Sequence, residues 1–423
     1  MNYKMLKLNK TLKNGGLFSI FSFLNQGISF VLLIILAKFI TPGEYGSLSL
    51  YNTVSTFVGY FIALSTTGYV SVSYFRKDRE NFCKDFSVII SITTSVFTFL
   101  MLVVLLFSRP ISNVVDLPRE LLYVVLVNSF FNVFFSLNLN YNRIQEKVGY
   151  YGVLSICFAL LNFALSLLFV ISFDMNWQGR VYAQVGCSVA FGLFSVFAFF
   201  KYKLYDFKKL GWDRFRFIIL WGLPLIPHEA ALWLRQGADR YIINSYHDIS
   251  DVGLFSFALN LANVIISVGL AFNATNSVSI YQILSLDAPV TERMSKIWKQ
   301  NKMIFVIYLV ATVAVVFGVS IIIPLLLPAY IGALGYFYIL AVYGFIQCIY
   351  FLVCNFLFYY NRNKEIMLIT FSTAILHLLL SLVLTRYSLY LTCLISVFIE
   401  TVIVVLVYWR SKIAIKENLV LNE

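Results

Sequence analysis

Long apolar runs, each closed by a short cluster of charged, turn or proline residues, recur along the whole 423-residue chain. Runs of about 18 residues or more can cross a hydrocarbon core of roughly 30 Å as a helix. Twelve spans are expected, near residues 15–36, 48–74, 86–107, 120–141, 149–170, 181–200, 217–237, 252–276, 303–323, 333–358, 366–384 and 389–408. A backbone in lipid must close its hydrogen bonds internally, so the predicted fold class is an all-α polytopic membrane bundle. The first run reaches about Ala37, too long for an ordinary signal segment, and is expected to stay in the mature chain.

Inside several spans the polar residues recur at helical spacing. Ser256, Asn260, Asn263 and Ser267 are separated by 4, 3 and 4 and share one face of span eight. Asn128, Asn132, Ser136 and Asn140 do the same in span four, and Ser22, Asn25, Gln26 and Ser29 mark span one. Membrane bundles use small polar groups freely for interhelical hydrogen bonds. The alternative is a hydrated path, to which stripes in both halves of the chain add weight.

Six spans precede the long basic connection "KYKLYDFKKLGWDRFR" at 201–216 and six follow it. The expected domains are an N-terminal six-helix bundle over 1–205 and a C-terminal one over 206–423, facing each other across a central cavity. A shift of 207 positions lays "TPGEYGSLS" on "DISDVGLFS", matching Gly46 with Gly253, Ser49 with Ser256 and Glu44 with Asp251. An even number of helices in each half makes the expected repeat parallel.

Composition agrees with this picture, with 60% apolar and 12% charged residues leaving little room for a soluble domain. The net charge of +12 reads as a topology signal. With the amino terminus inside, 25 of the 32 lysines and arginines fall in segments expected on the cytoplasmic side and 7 outside. Both termini are therefore expected in the cytoplasm. Nucleic acid is not an expected partner; loops such as "RKDRENFCKD" can touch anionic lipid headgroups instead. The six cysteines show no metal-ligand or paired-loop spacing, and most read as small core-filling residues. Cys83, in a charged loop, is expected to be an exposed free thiol.

One stretch concentrates ionisable groups: "WGLPLIPHEAALWLRQGADRYIIN", residues 221–244. On a helical wheel His228, Arg235 and Asp239 share one side, and Glu229, Gln236 and Arg240 occupy the neighbouring strip. Asp239 stands four residues after Arg235 and beside Arg240, so one acid is expected to neutralise part of two cations. An arginine left facing a cavity can receive phosphate oxygens through its donor fork; the alternative is a structural ion cluster. Pro224 and Pro227 are expected to bend the span, for packing or as a hinge. Glu400 sits within span twelve, where an unpaired carboxylate is costly. Glu400 and Glu229 are the candidates for coupling to H+ or Na+, against the alternative of a packed acid. His377 reads as a packing residue and Arg143 as an interfacial charge.

There is no P-loop glycine pattern, no HExxH motif and no compact serine, histidine and acid arrangement. Neither catalysis nor a bound cofactor is expected. Energy for transport would come from an ion gradient, the substrate gradient or a partner.

The segments "ILAKFITPGEYGSLSLYN" and "WGLPLIPHEAALWLRQGADRYIIN", followed by "VGLFSFALNLA" and "LLLPAYIGA", resemble the polysaccharide flippase family in type and order. That family exports lipid-linked O-antigen or capsule repeat units, within a superfamily that also holds multidrug extruders and lipid II flippases. The resemblance covers essentially the entire chain and rests on Pro42, Glu44, Tyr45 and Gly46, then on Gly222, Pro224, Pro227, His228, Trp233, Asp239 and Arg240. It departs at "EAALW", where many relatives carry Ser before the tryptophan, and Glu229 has no clear counterpart.

The resemblance implies a partly cationic cavity between two bundles. It implies that a polyprenyl-diphosphate oligosaccharide crosses the bacterial cytoplasmic membrane by alternating access, with no covalent bond changed. The expected substrate path is Arg235, Arg240, Asp239, His228, Asn25, Gln26, Asn260 and Asn263. Expected partners besides the substrate and membrane lipids are a glycan polymerase and a chain-length regulator. Two rival functions remain. A membrane glycan polymerase or ligase would carry a large outside loop, whereas the outside connections here are short. A cation or drug extruder of the same fold would have an acid-dominated cavity.

Overall fold

The computed structural model describes residues 2–208 and 210–420, and the side chains of 17, 18, 20–208, 210–227, 229–231 and 233–417. Ten helices among the described residues are long and apolar enough to cross a membrane, so the chain is an all-α polytopic membrane protein. It divides into two compact units, one of residues 1–40 and 47–233, the other of 41–46 and 234–423.

The first unit holds α1 (Asn2–Leu36), most of α2 (Pro42–Ile62), α3 (Tyr69–Arg76), α4 (Arg79–Val115), α5 (Arg119–Ile144), α6 (Val148–Leu167), α7 (Asn176–Lys201), α8 (Trp212–Gly222) and α9 (Ile226–Gln236) as far as Trp233. Helix α5 packs on α7, and α1 on α6. The first two expected spans differ from the other ten. The apolar part of α1 is the shorter segment Ile20–Leu36. The span expected over 48–74 is broken, because Leu64 and Ser65 adopt left-handed φ values of 45° and 52° that no L-residue helix sustains. Helix α2 therefore stops at Ile62, and a 3-10 turn, Thr66–Gly68, leads into α3. Gly222, at the end of α8, lies against this break so closely that a Cβ there would sit 2.3 Å from the Leu64 carbonyl oxygen. Helices α8 and α9 are joined by a 3-10 turn, Leu223–Leu225, that contains Pro224. Pro227 falls in the first turn of α9, where its missing N–H breaks no intrahelical bond.

A fully buried carboxylate fastens the loop end of this unit. Asp85 of α4 meets Lys77 Nζ at 2.7 Å and Arg214 Nη1 of α8 at 2.7 Å, and the Ser73 hydroxyl of α3 donates to it at 2.6 Å. Burial alone would lower the pKa of the Lys77 ammonium, but the hydrogen bond and charge of Asp85, with Tyr69, outweigh it and raise it above the usual lysine value. Two basic residues of the expected cytoplasmic loops are thus committed to the fold. Cys83 corrects the expectation of an exposed thiol: α4 has already begun at Arg79, and the side chain is buried, with Sγ 3.4 Å from the Lys203 carbonyl oxygen.

The second unit is built from α10 (Ala238–Tyr246), α11 (Ile249–Leu284), α12 (Val290–Leu326), α13 (Ala333–Tyr359), α14 (Asn363–Leu384) and α15 (Leu389–Val420). Helix α13 lies between α11 and α15, with Val353, Leu357, Ile395, Ile399 and Ile403 in the shared core. A ladder of buried amides ties α11, α12 and α13 together. Gln300 Nε2 donates to Asn276 Oδ1 at 2.7 Å, Asn276 Nδ2 to Asn301 Oδ1 at 3.2 Å, and Asn301 Nδ2 to the Leu352 carbonyl at 3.2 Å.

Residues 41–46, the start of α2, belong to this second unit. A capping box begins the helix: Thr41 N–H donates to Glu44 Oε2 at 2.7 Å, and Glu44 N–H returns a bond to Thr41 Oγ1 at 3.3 Å. Pro42 and Ile249, the first residues of α2 and α11, are separated by the 207 positions of the sequence repeat. The matched glycines touch reciprocally. A Cβ on Gly46 would lie 2.1 Å from the Ile249 carbonyl oxygen, and one on Gly253 would lie 1.8 Å from that of Pro42. Only glycine permits this approach from either side.

Candidate functional site

The polar stripe of α5 faces open space within the first unit. Asn128, Asn132 and Ser136 line a chamber of about 590 Å³ together with Asn52, Ser55 and Thr56 of α2 and Glu229 of α9. A second chamber of about 380 Å³ is lined by Asn25 of α1, Asn162 of α6, and Arg180, Gln184 and Ser188 of α7, with Phe135, Tyr151 and Phe158 supplying ring faces. Asn128, Asn132 and Gln184 line both, so the two chambers adjoin. The stripe points this way because the other faces of α5 carry Phe130, Phe131 and Phe134, which stack among themselves and on Phe97.

Hydrogen bonding in these chambers is incomplete. Asn128 is only 9% exposed, and its Nδ2 donates to Ser55 Oγ at 3.0 Å. Its Oδ1 accepts nothing among the described residues, and the same holds for Asn25 Oδ1 and Gln184 Oε1. A buried acceptor left unpaired costs about 1–3 kcal/mol, so three in one place favour an occupant that brings donors. Arg180 donates from Nη1 to Ser166 Oγ at 2.7 Å and to Asn162 Oδ1, two residues one helical turn apart on α6. Glu229 accepts from Ser65 Oγ at 2.7 Å, which fixes the acid to the break after α2.

In the second unit the conspicuous charges are already paired. Arg235 Nη1 lies 3.2 Å from Glu400 Oε2, and Glu400 is 1% exposed. With its amide nitrogen turned toward the carboxylate, Gln347 donates to both Glu400 oxygens at 2.8 and 3.1 Å. Asp239 has both carboxylate oxygens 3.0 Å from His377 Nε2 and receives the Ser381 hydroxyl at 2.8 Å. Arg240 donates from Nε to Ser256 Oγ at 3.0 Å and from Nη1 to the Gln236 carbonyl.

The expected sharing of Asp239 between two arginines is therefore not the observed arrangement. Gly237 interrupts the helix between α9 and α10, so Arg235 and Asp239 do not share one continuous face. The other expected path residues are dispersed. Asn260 Nδ2 donates to Tyr45 Oη at 2.7 Å, Asn263 is exposed, and Gln26 reaches Ser22 Oγ at 3.5 Å. The His228 side chain lies outside the described residues.

Two groups went unread in the sequence although the same spacing rule would have found them. Thr370, Thr373, His377, Ser381 and Thr385 follow each other by 3 or 4 along α14 and its end, all buried, and this stripe receives Asp239. Arg180, Gln184 and Ser188 follow each other by 4 on α7 and line the smaller chamber. Arg180 counts as an outside loop charge when only net topology is considered. Among the described residues no group of three or more His, Cys, Asp or Glu side chains is gathered to hold a metal.

A family model described as "Polysaccharide biosynthesis protein" matches residues 11–280. A Haemophilus influenzae protein described as "Lsg locus putative protein 1" is 25% identical over 370 residues, which cover 84% of this chain and 87% of that protein. Among solved structures, an inward-facing multidrug resistance MATE family transporter of the MOP superfamily gives a TM-score of 0.73 at 13% identity, covering 93% of this chain and 95% of its own. A MOP superfamily transporter from Pyrococcus furiosus, described by the reverse polarity of its binding pocket, gives 0.65 at 13% identity, with 96% of each chain covered. The fold is thus that of these transporters.

Proposed function

This chain belongs to the polysaccharide biosynthesis protein family, and from that premise we propose that it is a flippase for polyprenyl-diphosphate-linked oligosaccharide repeat units. It would carry them from the cytoplasmic to the outer face of a bacterial cytoplasmic membrane. The observation that carries this reading is the amide- and hydroxyl-lined pair of chambers inside the first unit. A polar headgroup in bare hydrocarbon would lose its hydrogen bonds to water, and a lining of this chemistry replaces them. The reading includes two six-helix halves, 1–205 and 206–423, that rock relative to one another, with the bend at Pro224 and Pro227 absorbing part of the motion. Of the two acids considered for coupling to H+ or Na+, Glu229 is the better placed, because it lines the larger chamber while Glu400 is engaged by Arg235. A glycan polymerase and a chain-length regulator would act on the delivered units.

The test is the sidedness of lipid-linked oligosaccharide in cells depleted of the protein. Complete single repeat units should accumulate on the cytoplasmic face. Single units accumulating on the outer face would overturn the reading in favour of a polymerase. Unchanged glycan with a lost resistance to cationic compounds would favour a drug extruder.

A further inference from the structure

Resting on the flippase reading, we propose that the two adjoining chambers of the first unit are a glycan subsite that reads sugar hydroxyls with amide oxygens and excludes the diphosphate. The argument starts from what the lining offers. Asn25, Asn128 and Gln184 each carry a buried side-chain carbonyl oxygen with no hydrogen-bond partner among the described residues. All three line the smaller chamber, and Asn128 and Gln184 line the larger as well. A sugar hydroxyl donates as well as accepts, so it satisfies such an oxygen. An ionised diphosphate only accepts, so it cannot satisfy these oxygens.

Charge leads to the same assignment. Among the described residues the two chambers are lined by one cation, Arg180, and one acid, Glu229, and each is engaged by neighbouring polar groups. A diphosphate calls for a concentration of positive charge, usually arginine forks, and this lining is balanced instead. The ring faces of Phe135, Tyr151 and Phe158 complete the smaller chamber with apolar surface of the kind a pyranose presents on its C–H face. Both chambers fall in the range of about 300–1,000 Å³ typical of small-molecule sites.

Gly59 of α2 supplies a direct way to block the site. It lines the larger chamber, and a Cβ built on it would meet nothing within 4 Å. Gly59→Leu projects a side chain into the chamber from a position where its Cβ meets no neighbour, and a helix tolerates leucine better than glycine. Gln184→Ala is the complementary variant, since it removes an acceptor shared by both chambers and adds no bulk.

The full chain is reconstituted in liposomes and given two lipids. One is the complete repeat-unit lipid isolated from the host lacking this protein; the other is the single-sugar lipid from the same host blocked after its first glycosyl transfer. Both variants should slow the complete unit by about tenfold or more and the single-sugar lipid by less than about twofold. Equal slowing of the two lipids would overturn the glycan subsite while leaving the flippase reading in place, as would unchanged transport of both. A wild-type chain that moves neither lipid would sink the flippase reading itself, and the subsite with it. Elution profile and thermal midpoint of Gly59→Leu should match wild type, so that a loss of transport is not a loss of fold.

Discussion

Both units bury polar atoms inside a membrane protein, and they treat them differently. In the second unit Glu400 is held by Arg235 and Gln347, Asp239 by His377 and Ser381, and the amides of Asn276, Gln300 and Asn301 bond one another. In the first unit the buried amide oxygens of Asn25, Asn128 and Gln184 are left over, and the three residues line chambers. The groups most conspicuous in the sequence, two arginines and two acids, are each engaged by a polar or charged neighbour, with Arg235 Nε left over. Paired buried charge holds helices in place, whereas unpaired neutral amides beside a cavity provide for a ligand.

The largest expected effect separates close contact from open space. Gly253→Leu forces a side chain into the carbonyl oxygen of Pro42, 1.8 Å from where its Cβ would lie, at the start of two helices. No monodisperse protein should be recovered in mild detergent. Gly59→Leu makes the same chemical change where nothing lies within 4 Å, and recovery should equal wild type. If both variants behave alike, the contrast between a locked crossing and a chamber wall fails.

Next in size is the pair Arg235 and Glu400. Removing one partner of a buried ion pair leaves the other charge uncompensated, at a cost of about 3–5 kcal/mol. Glu400→Leu alone and Arg235→Met alone should each lower the thermal midpoint strongly in a detergent unfolding series. The double variant should recover most of the loss, because an apolar pair of similar volume avoids the desolvation cost. Gln184→Ala in the first unit should change stability by no more than about 0.5 kcal/mol, since it breaks no bond within the protein. A double variant no better than the singles would mean that Glu400 is needed for more than Arg235, starting with the Gln347 amide that the double variant leaves unpaired.

Much of the fold could be read in the sequence because the cost of unpaired backbone in lipid leaves few solutions. The expected spans from 86–107 onward correspond to helices long and apolar enough to cross a membrane. The span expected over 48–74 could not be read correctly, since hydrophobic periodicity does not register the left-handed turn at Leu64 and Ser65. The polar stripe of α5 was legible, and Asn128, Asn132 and Ser136 of it line the chamber while Asn140 donates to Ser71 Oγ, because a face is set by spacing alone. Pairings were not legible. Whether Asp239 meets an arginine or a histidine depends on the break at Gly237 and on α14, which lies more than a hundred residues farther along the chain.

The smallest expected effect concerns a cluster in the first unit where a buried charge is paired as in the second. Lys77 is partly exposed, so its contact with the buried Asp85 is screened by solvent and should contribute below about 1 kcal/mol. Arg214 and Ser73 still hold the carboxylate in Lys77→Met, which keeps the loss small. The pH dependence has a definite sign. The Lys77 pKa is raised in the folded protein, so its contribution is fully present below the unfolded lysine value of about 10.4 and is lost as pH rises through the folded value. The difference in midpoint between wild type and Lys77→Met should therefore be constant from neutral pH to about pH 10 and shrink above it. A difference that instead grows in that alkaline range would mean that the ammonium gains nothing from Asp85, and that the first unit keeps its loop end together by Arg214 and Ser73.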